Sequence, residues 1–230
     1  MKKAVLFWSG GKDSAMALHK VQQDPGIELI AIITTLNEKY QRISMHGISE
    51  TILDRQVVQL GIPIIKMWVP NEPDNNLYEE KFLKVCLNLK EKGIDTVIFG
   101  DIFLDDLRLY RENLLDQIGL KAYFPLWKIR TKQLIKEFLE LGFRTITCCI
   151  SLKSLDNSWI GRQIDEQFLK QLPEKVDPCG ENGEFHTFCY AGPIYREAIP
   201  YQTGELLYKP LMIKTKKMDH EDGFLFIDIL

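Results

Sequence analysis

Several features that often announce a function are missing from this sequence. No stretch approaches the roughly 20 apolar residues that span a bilayer, so no membrane segment is expected. Met1-Lys2-Lys3 leads directly into the apolar run at 4–8, which is too short for a secretory signal and has no small-residue cleavage site behind it. The expected setting is therefore the cytoplasm. The five cysteines form no CxxC pair, and Cys148-Cys149 lie adjacent in an apolar run; neither a disulfide framework nor a zinc site is indicated. They read as small buried hydrophobes. Charge of one sign is also scarce. A net charge of −3 with 27% charged residues gives neither a basic field for nucleic acid nor an acidic tail. Repeats and low-complexity tracts are absent.

What is present is a rhythm. Apolar runs rich in β-branched residues recur at 4–8, 29–35, 62–69, 96–100 and 143–150, with room for a helix between each pair. That spacing predicts strand-helix-strand units and a parallel sheet covered on both faces. Helices are expected after the first run, where Ala15, Leu18 and Val21 share a face, and at 48–60, 77–92, 106–118, 131–141 and 160–172. The segments 37–47 and 70–76 read as polar loops. Beyond about residue 173 the chain turns to short runs broken by Pro and Gly, including "FHTFCYAGPIY", "YKPLMIKT" and "FLFIDIL", which predict a smaller antiparallel region. At 230 residues, one large domain or a domain with a smaller companion fits.

The first strand runs into Ser9-Gly10-Gly11-Lys12-Asp13-Ser14 and then a helix. A glycine pair there lets several backbone N–H groups converge at the positive end of a helix, which forms a nest for an anion of phosphate size. Lys12 adds a full charge, and the hydroxyls of Ser9 and Ser14 can donate to phosphate oxygens. Asp13 suits either a helix cap or a magnesium ion bridging to phosphates. The spacing matches neither a Walker P-loop nor a dinucleotide fingerprint. A tight turn alone would explain "GG"; the five fixed residues of SGGxDS occur by chance about once in a million start positions.

A second constellation stands at 176–195, "VDPCGENGEFHTFCYAGPIY". Glu181 and Glu184 flank an Asn182-Gly183 turn, and a strand after it would place Glu184 and His186 on one face. Two carboxylates and an imidazole can orient an amine, exchange protons or ligate a metal; an exposed hairpin is the plainer alternative.

The SGGKDS turn resembles the loop of the N-type ATP pyrophosphatases, which implies an adenine nucleotide α-hydrolase-like (HUP-type) α/β fold and cleavage of ATP to AMP and pyrophosphate. With "FGDIFLDDLRLYRENLLDQIGLKAYFPLW" at 99–127, "LDNSWIGRQID" at 155–165 and "GENGEFHTF" at 180–188, nearly the whole chain resembles the diphthine-ammonia ligase family. That resemblance implies an ATP-binding region at 1–128 and a substrate region at 129–230, with the boundary left open because the helix at 131–141 and the strand at 143–150 fit either part. ATP and Mg2+ are the implied cofactors. Ammonia and a carboxylate acceptor, a diphthine-like protein side chain or a small molecule, are the implied partners. It places nucleotide contacts at Ser9, Gly10, Gly11, Lys12, Asp13, Ser14, His46, Gly100 and Asp101, and magnesium at Asp13 and Asp101. The implied catalytic residues are Lys12, Asp13, Glu181, Glu184 and His186. Substrate contacts fall on Arg111, Gly180, Glu181, Gly183, Glu184, His186 and Thr187. One departure stands out: the family pattern is like E-G-G-E-F-E-T and this chain reads E-N-G-E-F-H-T, with His186 in place of a glutamate. The variant resembles bacterial relatives that amidate small molecules, cobalamin precursors among them. The alternatives kept beside the ligase are a tRNA-modifying enzyme with the same loop and a non-catalytic ATP sensor. Nucleic acid and membrane are not expected partners, and a homo-oligomer is compatible with the sequence.

Overall fold

A computed structural model describes residues 1–71, 74–210 and 223–230 of the chain. The amino-terminal half alternates strands and helices in chain order: β1 (Lys2–Phe7), α1 (Lys12–Gln22), β2 (Ile27–Asn37), β3 (Arg42–Ile43), α2 (Glu50–Leu60), β4 (Ile64–Val69), α3 (Asn75–Glu91), β5 (Thr96–Ile98), α4 (Asp105–Asp116) and β6 (Lys121–Tyr123). Strands β4, β2, β1, β5 and β6 lie side by side and parallel. The two-residue β3 adds an antiparallel pair at the carboxyl end of β2.

Alternation along β1 distributes the core. Ala4, Leu6 and Trp8 join the cluster that holds α1 and α2, whereas Val5 joins the one that holds Phe82, Cys86 and Leu89 of α3 and Leu114 and Leu115 of α4. Both faces of the sheet are covered, as continuous apolar strands require. The helix punctuation follows the expected chemistry. Ser49 caps α2 by accepting from the Ile52 amide, Gly61 ends it in the left-handed region at φ 66°, and Asp74 caps α3 from the Leu77 amide.

The carboxyl-terminal half contains α5 (Thr131–Glu140), β7 (Arg144–Ser151), α6 (Glu166–Gln171), β8 (Phe185–Ala191), β9 (Thr203–Pro210) and β10 (Gly223–Ile229). Its sheet is antiparallel, in the order β8-β7-β10-β9. Ile146, Cys148, Ile150, Phe185, Phe188 and Leu225 of this sheet share one core cluster with α1 and α2. The two sheets are thus joined through a common apolar layer.

Several expectations change on this evidence of pairing. The run at 143–150 is a strand, but it pairs antiparallel with β8 and β10 and not in the parallel sheet; its apolar composition reports burial on both faces, which both sheet types allow. The helix expected at 160–172 shrinks to α6. Gly161 turns at φ 73°, and the chain at 161–164 lies along β7, with Thr147 N donating to Arg162 O and Ile164 N to Thr145 O. β6 is three residues long and too polar to read as a strand. Within 37–47, Arg42 and Ile43 form β3, and the Arg42 guanidinium ion-pairs with Asp228 of β10 at 2.7 Å. Part of the loop at 70–76 and of the "YKPLMIKT" strand lies outside the described residues. All five cysteines are free and buried. No described helix is long and apolar enough to cross a membrane.

Candidate active site

The turn at 9–14 sits at the carboxyl edge of β1, where ligands bind in open parallel sheets. Gly10 takes φ 78°, a conformation that a side chain would strain. Gly11 serves a different purpose. A Cβ there would lie 2.6 Å from His46 Cε1 and 2.9 Å from Thr187 O, so closeness and not dihedral freedom requires glycine. A Cβ on Gly100 would meet the Asp13 backbone at 3.0 Å, which brings the β5 end directly against the turn.

Groups far along the chain hold this turn. Gln56 is fully buried in α2; its amide donates to Gly10 O at 3.0 Å and Cys189 O at 2.8 Å, while its oxygen accepts from the Trp8 indole at 3.1 Å. Cys189 N donates to Gly10 O at 2.9 Å. Thr187 Oγ1 accepts from Lys12 N at 3.0 Å, and Gly11 N donates to Ser9 Oγ at 3.3 Å. Helices begin with four amides that lack intrahelical partners. Here two of them, on Asp13 and Ser14, make no hydrogen bond among the described residues.

The charged groups are already paired. Lys12 is 3% exposed; its ammonium contacts both Asp13 oxygens, at 2.9 and 2.7 Å, and lies over the Phe185 ring. Burial alone would lower its pKa, but Asp13, Cys179 and Glu181 outweigh that and raise it. Arg111 Nε lies 3.1 Å from Asp101 Oδ2, and its guanidinium stacks 4.1 Å over Phe99. That contact is a buried ion pair without an aligned hydrogen bond. Burial raises the Asp101 pKa, Arg111 opposes the rise, and Asp13 adds to it.

The 180s motif divides its two glutamates between different tasks. Glu181 reaches across to the β5–α4 connection, accepting from Ile102 N at 2.8 Å. Burial and then the Asp13 charge push its carboxyl up to about 7, against the Ile102 hydrogen bond. Glu184 is 5% exposed and accepts from Asp177 N, Asn182 N and Asn182 Nδ2, each at 3.0 Å. It organises its own loop and is not on the cavity wall. Gly180, Gly183, Glu181 and His186 do line the cavity.

His46 and His186 stack with ring centroids 4.9 Å apart. His46 Nδ1 lies 2.9 Å from Thr187 O, which fixes its proton on Nδ1 as donor. Burial is the main cause that lowers His46 to about 4 and His186 to about 3. Both rings are neutral near pH 7. His186 Nε2 is sealed from solvent and has no hydrogen-bond partner.

Together these groups face one cavity of about 980 Å³, in which Ser9, Asp13, Ser14, His46, Gly100, Asp101, Arg111 and Thr187 all participate. That volume accommodates a nucleotide with a second reactant beside it. Sequence reasoning missed Gln56 as the clamp on Gly10, and Thr35 and Tyr78 on the cavity wall. An isolated Gln in a helix carries no local signal.

A parallel sheet with an anion-ready turn at its carboxyl edge, opening into a cavity of this size, defines a nucleotide-binding α/β protein. Comparison with known families narrows that class. The model of the diphthamide synthase N-terminal domain matches residues 1–122, and that of the diphthamide synthase C-terminal domain matches residues 130–226. The chain belongs to the diphthamide synthase family of enzymes. Among curated proteins it is similar to the diphthine–ammonia ligase of Rattus norvegicus, 29% identical over 232 residues, which covers 89% of this chain and 84% of that one. The Danio rerio diphthine–ammonia ligase is 23% identical over 211 residues, 83% of each chain. The match to the Homo sapiens diphthine–ammonia ligase is 26% over 137 residues and spans 57% of this chain and half of the human one.

Proposed function

We propose that the protein is an ATP-dependent carbon–nitrogen ligase that activates a carboxylate as an acyl-adenylate and delivers it to ammonia. The observation that carries this reading is the Ser9–Ser14 turn, clamped by Gln56, Thr187 and Cys189 and opening into the shared cavity. The carboxylate attacks the α phosphate and pyrophosphate leaves; ammonia then attacks the acyl carbon, and AMP departs with the former carboxylate oxygen. The adenylate converts an oxide leaving group into a stable one. In this reading residues 1–128 bind ATP, and residues 129–230 supply the acceptor side through Gly180, Glu181 and Gly183. The setting is cytoplasmic.

Mg2+ fits the donor set through Asp13 and Asp101. Among the described residues no cluster of three acidic, His or Cys side chains is placed to hold a metal, but magnesium needs only one or two carboxylates when phosphates supply the rest. Asp101, ion-paired with Arg111 at 3.1 Å, and the partly exposed Asp13 are the carboxylates that would hold such an ion. Bound magnesium would offset phosphate charge. The chain's own contribution is to orient the tail on the Asp13 and Ser14 amides and to hold Glu181 near neutrality, able to take a proton from the attacking nitrogen.

The acceptor is the diphthine carboxylate in the relatives' name. A small-molecule acid is the second reading, favoured by His186, which replaces a charged position of the motif with a neutral ring. Incubation with α-labelled ATP, Mg2+, ammonium and either a diphthine-bearing protein or fractionated metabolites tests both. AMP formed only with ammonium and one acceptor supports the ligase and identifies the acceptor. ADP formation overturns it, and saturable ATP binding without turnover supports a sensor instead.

A further inference from the structure

The cavity presents a problem of charge. Its two permanent cations are spent, Lys12 on Asp13 and Arg111 on Asp101, while Glu181 adds a third carboxyl. A nucleoside triphosphate nevertheless has to place several negative charges against the start of α1, and one magnesium ion would offset only part of them. Among the described cavity residues, only the two imidazoles can still become cationic there.

Their placement supports that role. His46 packs its Cε1 edge against Gly11, and its Nδ1–H is anchored on Thr187 O, the same residue whose hydroxyl takes the Lys12 amide. His186 stacks on it from β8 and holds the sealed, unpartnered Nε2. Buried polar atoms nearly always have partners, and one that lacks them beside an anion-binding turn calls for a ligand atom.

We propose that His46 and His186 form the subsite for the phosphate tail of the nucleotide, and that the pair takes up a proton from solvent when the tail binds. This rests on the ATP reading above and reassigns His186 from the acceptor side to the phosphate side. The chemistry is simple. With its proton fixed on Nδ1, the neutral His46 ring offers only a lone pair at Nε2, which phosphate oxygens reject. Protonation turns it into a donor and supplies the missing charge. The charged groups facing the pair are Lys12 and Asp13 from α1; Glu181 lies on the same cavity wall, and Arg42 paired with Asp228 stands behind the His46 turn. In the free protein, burial and the nearby Lys12 ammonium disfavour a charged ring at either position. An incoming polyanion reverses that balance.

Isothermal titration with ATP, inorganic pyrophosphate and AMP, at pH 6 in two buffers of different ionisation heat, reads the proton count directly. His46→Gln, His186→Gln and the double variant are titrated alongside, with thermal unfolding to check that each is folded. The ligand's own protonation is common to all proteins and cancels in the difference. The wild type should take up about one proton more per pyrophosphate than the double variant. The ratio of wild-type to double-variant affinity should fall by up to roughly tenfold per pH unit as the solution is made more alkaline than pH 6. AMP affinity should change little.

Equal proton counts and equal pyrophosphate affinities in wild type and variants would overturn the proposal while leaving ATP binding intact. So would folded variants that lose AMP and pyrophosphate affinity equally, since that marks a packing role. Failure of the wild type to bind either ATP or pyrophosphate removes the ATP reading itself and this inference with it.

Discussion

Thr187 Oγ1 accepts the Lys12 amide at 3.0 Å across 175 positions of sequence, so the second half of the chain completes the turn at the start of the first helix. A residue expected to touch substrate lines the cavity and also holds the turn that is to bind phosphate.

Replacing that hydroxyl separates its two roles. Thr187→Val leaves the buried Lys12 amide without an acceptor and should cost about 1–3 kcal/mol by urea unfolding. ATP affinity should fall with it. Thr187→Ser keeps the oxygen and should retain most of both; a stable Thr187→Val protein with unchanged ATP affinity would show that the turn does not depend on this bond.

Gly11→Ala tests closeness without dihedral strain. Its Cβ would meet His46 Cε1 at 2.6 Å and the Thr187 carbonyl at 2.9 Å, so either the imidazole or strand β8 must shift. The expected cost is about 1–3 kcal/mol, with loss of measurable ATP binding in a fluorescence titration. Gly100→Ala should act alike, because it presses on the Asp13 backbone at 3.0 Å, which cannot rotate aside.

The two glutamates of the 180s motif should part company. Glu184→Ala strands three donors in a buried loop and should destabilise the protein by about 3 kcal/mol. Glu181→Gln keeps an oxygen for the Ile102 amide and loses only the charge. Stability should change by less than about 1 kcal/mol, while AMP formation drops at least tenfold if the carboxylate takes the proton. Chemical denaturation and single-turnover assays read the two effects independently.

Acid should loosen the fold before most carboxylates titrate. His46 and His186 sit below the ordinary histidine value of 6.5, at about 4 and about 3, so the unfolded chain binds more protons and stability falls as pH drops from 6.5 towards 4. Glu181 acts in the opposite sense. Raised to about 7, it is protonated in the fold and ionised in the unfolded chain between 4.5 and 7, so it favours the fold as pH falls. Asp101, also raised by burial, acts with Glu181, and His19, also lowered, acts with the buried imidazole pair; the expected net slope is a loss. His186→Phe should flatten the loss in a pH series of melting curves, and an unchanged slope would show that the ring is not buried uncharged.

The sequence made the fold class legible because β1, β2, β4 and β5 are largely apolar on both faces, a pattern few other arrangements produce. It left open which part the run at 143–150 joins, because burial, and not direction of pairing, determines composition; the partner strands β8 and β10 lie more than 30 positions away. The SGGKDS turn was readable as a local motif with its own geometry. Glu184 was misread as facing the site because spacing on a strand gives a face, while its carboxylate bends back to amides of its own loop. Gln56 left no trace at all. Its role depends on Gly10 and Cys189 arriving from 46 residues before and 133 after.

The clamp on the turn also orders events during synthesis. Residues 9–14 are translated well before Thr187 and Cys189, which fix Lys12 and Gly10. At about 5–20 residues per second, the loop waits some ten to forty seconds for these partners. A nascent chain stalled after β7 carries every residue of the nucleotide signature and lacks the strand that gives it shape.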